Sequence, residues 1–460
     1  MTDDVPSTRP YTPEDLARCL QVLAALHEVD VEHPDYRLVE QAAAHLTKTA
    51  KKRRRVARAQ RAAAADRSLL ATTHSFRQSL DRDELATVGP GRSAGPVGQL
   101  VRQRRCYVCK APFREVDPTY HQLCAACSAE NADRREARAD LTGRRALVTG
   151  GRIKIGYQVA LKLLRDGAHV TITTRFATDA CRRFADEPDV DAWRDRLRVV
   201  AVDFLDGRAV DLVIADLVAD GQHLDILVNN AAQTVRRPAA YHRALVAGEA
   251  AAAGADAFAV RRYAGQRNPL PIPDADRGGL VDWLFPNGQV DETGEPLDRR
   301  EVNSWVLHVD EVDPAEYLEA HVVTTFVPFL LCARLKPLLL ASPFPDRYVI
   351  NVSAVEGQFN VRNKSERHPH TNMAKAGLNM LTRTTAADFA RDGIFMSAVD
   401  TGWVTDENPQ PTKQRLRDRG FRTPLDVVDG AARVYDPIVR GVRGEPVWGA
   451  FLKDYAVAPW

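Results

Sequence analysis

The chain has 460 residues, 45% of them hydrophobic and 27% charged, with a formal net charge of +2. This is the profile of a globular protein of about two to three domains, and the near-neutral balance gives no overall bias toward nucleic acid or membrane. No uninterrupted apolar run approaches the roughly 20 residues that cross a bilayer. The opening MTDDVPSTRP lacks a basic region followed by an apolar one, so a cytoplasmic protein with no membrane partner is expected.

Thr12 and Pro13 stand at the N-cap and first turn of a helix over 12–29, and the apolar spacing of 36–70 predicts a second, longer one. Residues 1–85 therefore read as a small helical module. Within it Lys48, Lys51, Lys52, Arg53, Arg54, Arg55, Arg58 and Arg61 are spread around most of the helix. No aromatics interleave with them as single-strand readers require, so a solvated face or subunit contact is read ahead of a nucleic-acid surface. The Gly- and Pro-rich stretch 86–100 reads as a linker.

Residues 101–140 carry two Cys-x-x-Cys knuckles, Cys106 with Cys109 and Cys124 with Cys127, fourteen residues apart. Each such turn sets two sulfurs side by side, which suits a tetrahedral zinc held by four thiolates. Four protein ligands leave no position for water, so the metal is expected to be structural. His121 is read as a packing residue that could otherwise replace one cysteine.

From residue 144 the pattern changes to short β-rich runs, RRALVTG, AHVTITTR, LRVVAVD, LDILVNN, RYVINVS and GIFMSAVD, most of them separated by stretches long enough for a crossover helix. This predicts an α/β fold with a doubly wound parallel sheet, which binds ligands at the carboxyl ends of its strands. The first strand runs into the glycine turn Thr149–Gly156, where backbone amides and the following helix can receive a pyrophosphate.

Several motifs then fall in one order: LVTGGRIKIG, Asp203, Asn229-Asn230-Ala231-Ala232, Ser353, a lysine on the next helix, and Asp400-Thr401-Gly402-Trp403-Val404-Thr405. In combination, residues 141–460 resemble the short-chain dehydrogenase/reductase family, with a Rossmann-type domain. The resemblance implies an oxidoreductase that moves hydride between a nicotinamide cofactor and a small-molecule substrate. It places Thr149, Gly150, Arg152, Ile155 and Gly156 at the pyrophosphate turn, with Lys154 where a middle glycine is usual. Asp203 would meet the adenine edge, and Asn229 and Ala231 the adenine-ribose side. Lys375 would hold the nicotinamide ribose, and Thr401, Gly402, Val404 and Thr405 would approach the nicotinamide. A homodimer or tetramer is implied by the same resemblance.

The second strand ends Thr173-Thr174-Arg175, without the acidic residue that takes both ribose hydroxyls in NAD-selective proteins. Arg175, helped by Arg152, could instead pair with a 2′-phosphate, so NADP(H) is expected ahead of NAD. For catalysis the family uses a tyrosine one turn before the lysine. Here Ser353 and Lys375 are present but that position is Thr371, a far weaker acid, and Thr324 stands where an asparagine is usual. His370 and His368, just upstream, are substitute proton carriers or ordinary loop residues.

An insertion at about 235–312 would cover the substrate or make an oligomer contact, and Tyr241, Tyr263, Trp283 and Trp305 are its candidate core or substrate contacts. The leading expectation is an NADP-dependent oxidoreductase with a modified proton relay. The alternative is a non-catalytic NADP-binding scaffold or sensor whose zinc module contacts protein or nucleic acid.

Overall fold

The computed structural model describes residues 10–78, 95–251, 257–263, 279–291, 293–361 and 364–460. The chain divides between Ser68 and Leu69. In the first unit, helix Pro13–Ala25 starts at Thr12, whose hydroxyl accepts from the Asp15 amide while the Asp15 carboxylate accepts from the Thr12 amide. This reciprocal cap explains why the helix begins there. Helix Pro34–Leu70 follows, and the basic side chains of 48–61 named above are all exposed.

The second unit opens with an antiparallel pair, β1 (Gly98–Arg105) and β2 (Pro112–Val116), then helix Ala125–Glu136. β1 begins inside the stretch read as a linker, most of which lies outside the described residues. The strands of the main sheet follow: β3 (Arg145–Thr149), β4 (His169–Thr174), β5 (Leu197–Ala201), β6 (Ile226–Asn229), β7 (Ala259–Arg262), β8 (Arg347–Ser353), β9 (Ile394–Asp400), β10 (Phe451–Lys453) and β11 (Ala456–Ala458). Their order is β11-β10-β9-β8-β6-β3-β4-β5-β7, and all neighbours are parallel except β10 with β11. The order reverses beside β3, with β4 and β5 to one side and β6 and β8 to the other, so the ligand groove is expected at the carboxyl ends of β3 and β6.

Alternation along β3 feeds two cores. Ala146 and Val148 pack with helices Lys154–Arg165 and Val427–Val442, whereas Leu147 packs with helices Gly207–Ala219 and Val327–Leu340 on the other face. Both faces are covered, and for that reason the strands read as nearly continuous apolar runs. The stretch Pro314–Leu340 is long and apolar enough to cross a membrane, but Val327, Leu331, Leu335 and Leu339 are packed in the second core. The edge strands β7, from the insertion, and β10–β11 were not among the expected strands.

The cysteine-bearing segment shares a core with the sheet domain. Leu100, Phe113, Val116, Tyr120 and Leu123 cluster with Val404 and Leu425. Beside them lies a buried polar joint: Arg135 meets Asp426 at 2.7 Å and Asp429 at 2.9 Å, and the Tyr120 hydroxyl donates to Asp429 at 2.7 Å. Arg433 donates to Asn131 at 2.8 Å. Asp429 is fully buried, and burial with the neighbouring Asp426 pushes its carboxyl above the usual range, against the pull of Arg135 and Arg433.

Candidate active site and four-cysteine centre

The glycine turn joins β3 to helix Lys154–Arg165. Gly150 has φ +67°, and a Cβ on Gly156 would lie 2.3 Å from the Gly150 carbonyl oxygen, so only glycine permits this close crossing. Lys154, at the position where a middle glycine is usual, holds φ +53° with a side chain attached. Its ammonium lies 3.5 Å from Glu407. Burial lowers the affinity of Lys154 for its proton, but Glu407, Asp291 and Glu295 outweigh it and leave the group above its ordinary value.

Thr149 is buried and organises the turn: its hydroxyl accepts from the Asn230 and Ala231 amides at 2.9 and 3.0 Å. Asn229 points into the sheet, donating to Asn351 at 2.8 Å, so it stitches β6 to β8. Ile155 packs beside Val404. Asp203 follows β5 and accepts from the Leu205 amide at 3.0 Å.

The expectation that Arg152 helps Arg175 grip a 2′-phosphate needs correction. The Arg152 guanidinium is buried and committed to Asp179 at 2.6 Å and to Glu295 of the insertion at 2.8 Å. Arg175 is exposed at the end of β4, its guanidinium 5.5 Å from the Phe176 ring.

At the carboxyl ends of β8 and β9, Ser353 donates to Asn379 at 2.6 Å, and Lys375 donates to the Val352 carbonyl at 2.7 Å. Both belong to one site, since Ser353 and Lys375 are each buried and Asn379 sits one helical turn beyond Lys375 on helix Pro369–Arg391. Burial lowers the Lys375 ammonium to about 8, against the opposing charges of Glu356 and Asp400. Thr371 is buried on the same helix, and its hydroxyl reaches the Thr234 carbonyl only at 3.4 Å. Thr324 is buried in a π-helical turn, Val322–Phe326, whose Thr325 donates to the Ala374 carbonyl at 3.0 Å.

His368 caps this helix in a left-handed conformation, φ +43°. Its ring stacks on Trp305 at 4.1 Å, and its Nδ1 lies 2.8 Å from the Trp305 carbonyl. His370 is 1% exposed, beside the Thr234 backbone with no well-formed hydrogen bond among the described residues. Burial lowers its pKa, so it is a neutral imidazole at neutral pH. Of the tyrosines in the insertion, Tyr263 donates to Asp216 at 2.6 Å, and Tyr241 is buried against His242 and Phe285. Trp283 is exposed.

Thr401 is buried after β9, and the Gly402 amide donates to Asp400 at 3.0 Å. Thr405 donates to Glu407 at 3.1 Å. The Trp403 amide donates to the Tyr107 hydroxyl at 2.9 Å, so the cysteine-bearing segment touches this loop directly.

The sulfurs of Cys106, Cys109, Cys124 and Cys127 lie within 4.8 Å of one another, with Cys109 and Cys124 at 3.6 Å. Tetrahedral zinc with bonds of about 2.3 Å separates its sulfurs by roughly 3.8 Å, so the donor set fits that ion. His121 stays outside the group: its Nδ1 lies 2.7 Å from the Ser75 hydroxyl, and burial lowers its pKa to about 4. Sequence reasoning did not single out Asn379, Asp179, Glu295 or Glu407. Only Asn379 had a signal, four residues after Lys375.

A switch-point groove, a glycine turn and a serine–lysine pair at the strand ends define a dinucleotide-binding α/β protein. A family model described as short chain dehydrogenase matches residues 144–244. An uncharacterized protein of Acanthamoeba polyphaga mimivirus is 35% identical over 347 residues, covering 73% of this chain and 71% of that protein. An uncharacterized oxidoreductase of Schizosaccharomyces pombe is 36% identical over 92 residues, 20% of this chain and 27% of its own. Among solved structures, a short-chain dehydrogenase/reductase of Caenorhabditis elegans is 18% identical with a TM-score of 0.46, covering 68% of this chain and 93% of that one. Over residues 144–244 the chain is thus similar to short chain dehydrogenases, and its sheet domain has the Rossmann-type fold of that family.

Proposed function

We propose that the protein is a nicotinamide-dependent oxidoreductase acting on a small carbonyl or alcohol, with a proton relay that does without the usual tyrosine. The observation that carries this reading is the buried Ser353–Asn379 and Lys375–Val352 pairing between the end of β8 and helix Pro369–Arg391. The cofactor, when bound, supplies or receives hydride. Lys375 spends one donor on the Val352 carbonyl and keeps the others for ribose hydroxyls. Asn379 fixes the Ser353 hydroxyl beside the strand end, where it can polarise a carbonyl oxygen. Thr371 is too weak an acid to supply a proton alone, so it orients water while neutral His370, one residue away, exchanges the proton.

The cofactor reading is a nicotinamide dinucleotide: the expected NADP(H) preference is supported by Arg175 alone, because Arg152 is engaged with Asp179 and Glu295. Zinc, held by Cys106, Cys109, Cys124 and Cys127, would have a structural role, since four thiolates leave no open position. A cytoplasmic setting suits those thiolates, and a homo-oligomer fits the family. The alternative, a non-catalytic sensor, is favoured by the long Thr371 contact. Incubation of the purified chain with a panel of aldehydes and ketones and reduced nicotinamide cofactor distinguishes the two. Steady substrate-dependent cofactor oxidation supports the enzyme, and binding without turnover across the panel supports the sensor.

A further inference from the structure

We infer that Glu295, a residue of the insertion, decides which nicotinamide dinucleotide the groove accepts, by seating a carboxylate on Arg152 where a 2′-phosphate would otherwise bind; this rests on the cofactor reading above. Dinucleotide-binding folds settle this choice near the end of the second strand, with an acid for ribose hydroxyls or an arginine for phosphate. Here that strand, β4, ends in Thr173-Thr174-Arg175 and offers no acid. The acid arrives from elsewhere in the chain.

Arg152 and Arg175 flank one ring: their guanidinium carbons lie 5.3 and 5.5 Å from the Phe176 centroid, which places both at the carboxyl end of β4. Arg152 donates to Asp179 through one nitrogen and to Glu295 through the other. Glu295 is 8% exposed, and its Oε2 accepts from Arg152 at 2.8 Å. Its Oε1 is as close to the same nitrogen but makes no hydrogen bond among the described residues. A carboxylate with both oxygens on Arg152 can still accept from a ribose hydroxyl through its remaining lone pairs, and it repels a phosphate.

The position of Glu295 is fixed by its own loop. Asp291 accepts from the Thr293 and Glu295 amides at 2.8 and 3.2 Å, Val290 bridges Pro296, and Arg183 donates to the Gly294 carbonyl at 3.0 Å. For a phosphate to reach Arg152, this carboxylate must leave its buried ion pair, whereas a ribose hydroxyl can bond to it where it stands. Exposed Arg175 offers the phosphate only a screened charge. The groove therefore selects NAD(H), with Glu295 as the specificity-determining residue.

The test is equilibrium binding of NADH and NADPH to the full-length protein and to Glu295→Gln and Glu295→Ala, with circular dichroism as the folding control. The wild type is expected to bind NADH about tenfold more tightly than NADPH, and both variants to shift the ratio about tenfold toward NADPH as Arg152 is released. A wild type that prefers NADPH, or a ratio that folded variants leave unchanged, overturns the assignment of Glu295. Failure of the folded wild type to bind either nucleotide brings down the cofactor reading itself, and the selectivity with it.

Discussion

The ammonium of Lys154 and the carboxylate of Glu407 meet at 3.5 Å, tying the glycine turn to the segment after β9. Lys154 charge holds the Glu407 carboxyl down at about 2, against burial that acts the other way. Unfolded, the same group titrates near 4.5. The pair's contribution is therefore complete above that unfolded value and is lost as pH falls toward the folded one. Glu407→Gln is expected to cost about 1–3 kcal/mol at neutral pH, because it leaves a half-buried ammonium without its partner. Thermal melts should show the gap between wild type and variant closing as pH falls from about 4.5 to about 2.

Arg135→Ala leaves Asp426 and Asp429 buried without their cation. A loss of about 3–5 kcal/mol is expected, read from denaturant midpoints. Tyr120→Phe removes one neutral donor to Asp429 and should cost only about 1–2 kcal/mol. Equal losses in the two variants would show that the charge is compensated elsewhere.

Metal analysis of the purified protein should find close to one zinc per chain. Cys124→Ser is expected to lose it, and hydrogen exchange should then rise across residues 100–140, including the Tyr120 and Arg135 backbone. Protein that carries no zinc as purified would discard the metal assignment.

Lys375→Ala should abolish turnover under the proposed reaction while leaving the sheet folded. The wild-type rate should fall as pH rises through about 8, where the Lys375 ammonium discharges. An undiminished rate in Lys375→Ala would sink the proposed chemistry.

Much of the sheet was legible because its strands are covered on both faces, so RYVINVS and its counterparts stand out as short apolar runs with periodic helices between them. β10 and β11 are three residues each, too short for a pattern, and β7 is a four-residue strand inside an alanine-rich insertion. The cysteine centre was legible from spacing alone, because its ligands come in local pairs. The Arg152–Glu295 contact joins residues 143 positions apart, and nothing local in either segment announces it. His368 was visible as a titratable side chain, but its stacking on Trp305 depends on how the insertion folds back.

The joint between the cysteine-bearing segment and helix Val427–Val442 also limits how the chain can be taken apart. A fragment beginning at Leu141 contains every strand of the main sheet, yet it strands Asp429 without Arg135 and Tyr120, and Arg433 without Asn131. That helix packs directly against the one that follows the glycine turn. The sheet domain is therefore not a portable cassette: excising the cysteine-bearing segment would unsettle the scaffold behind the glycine turn.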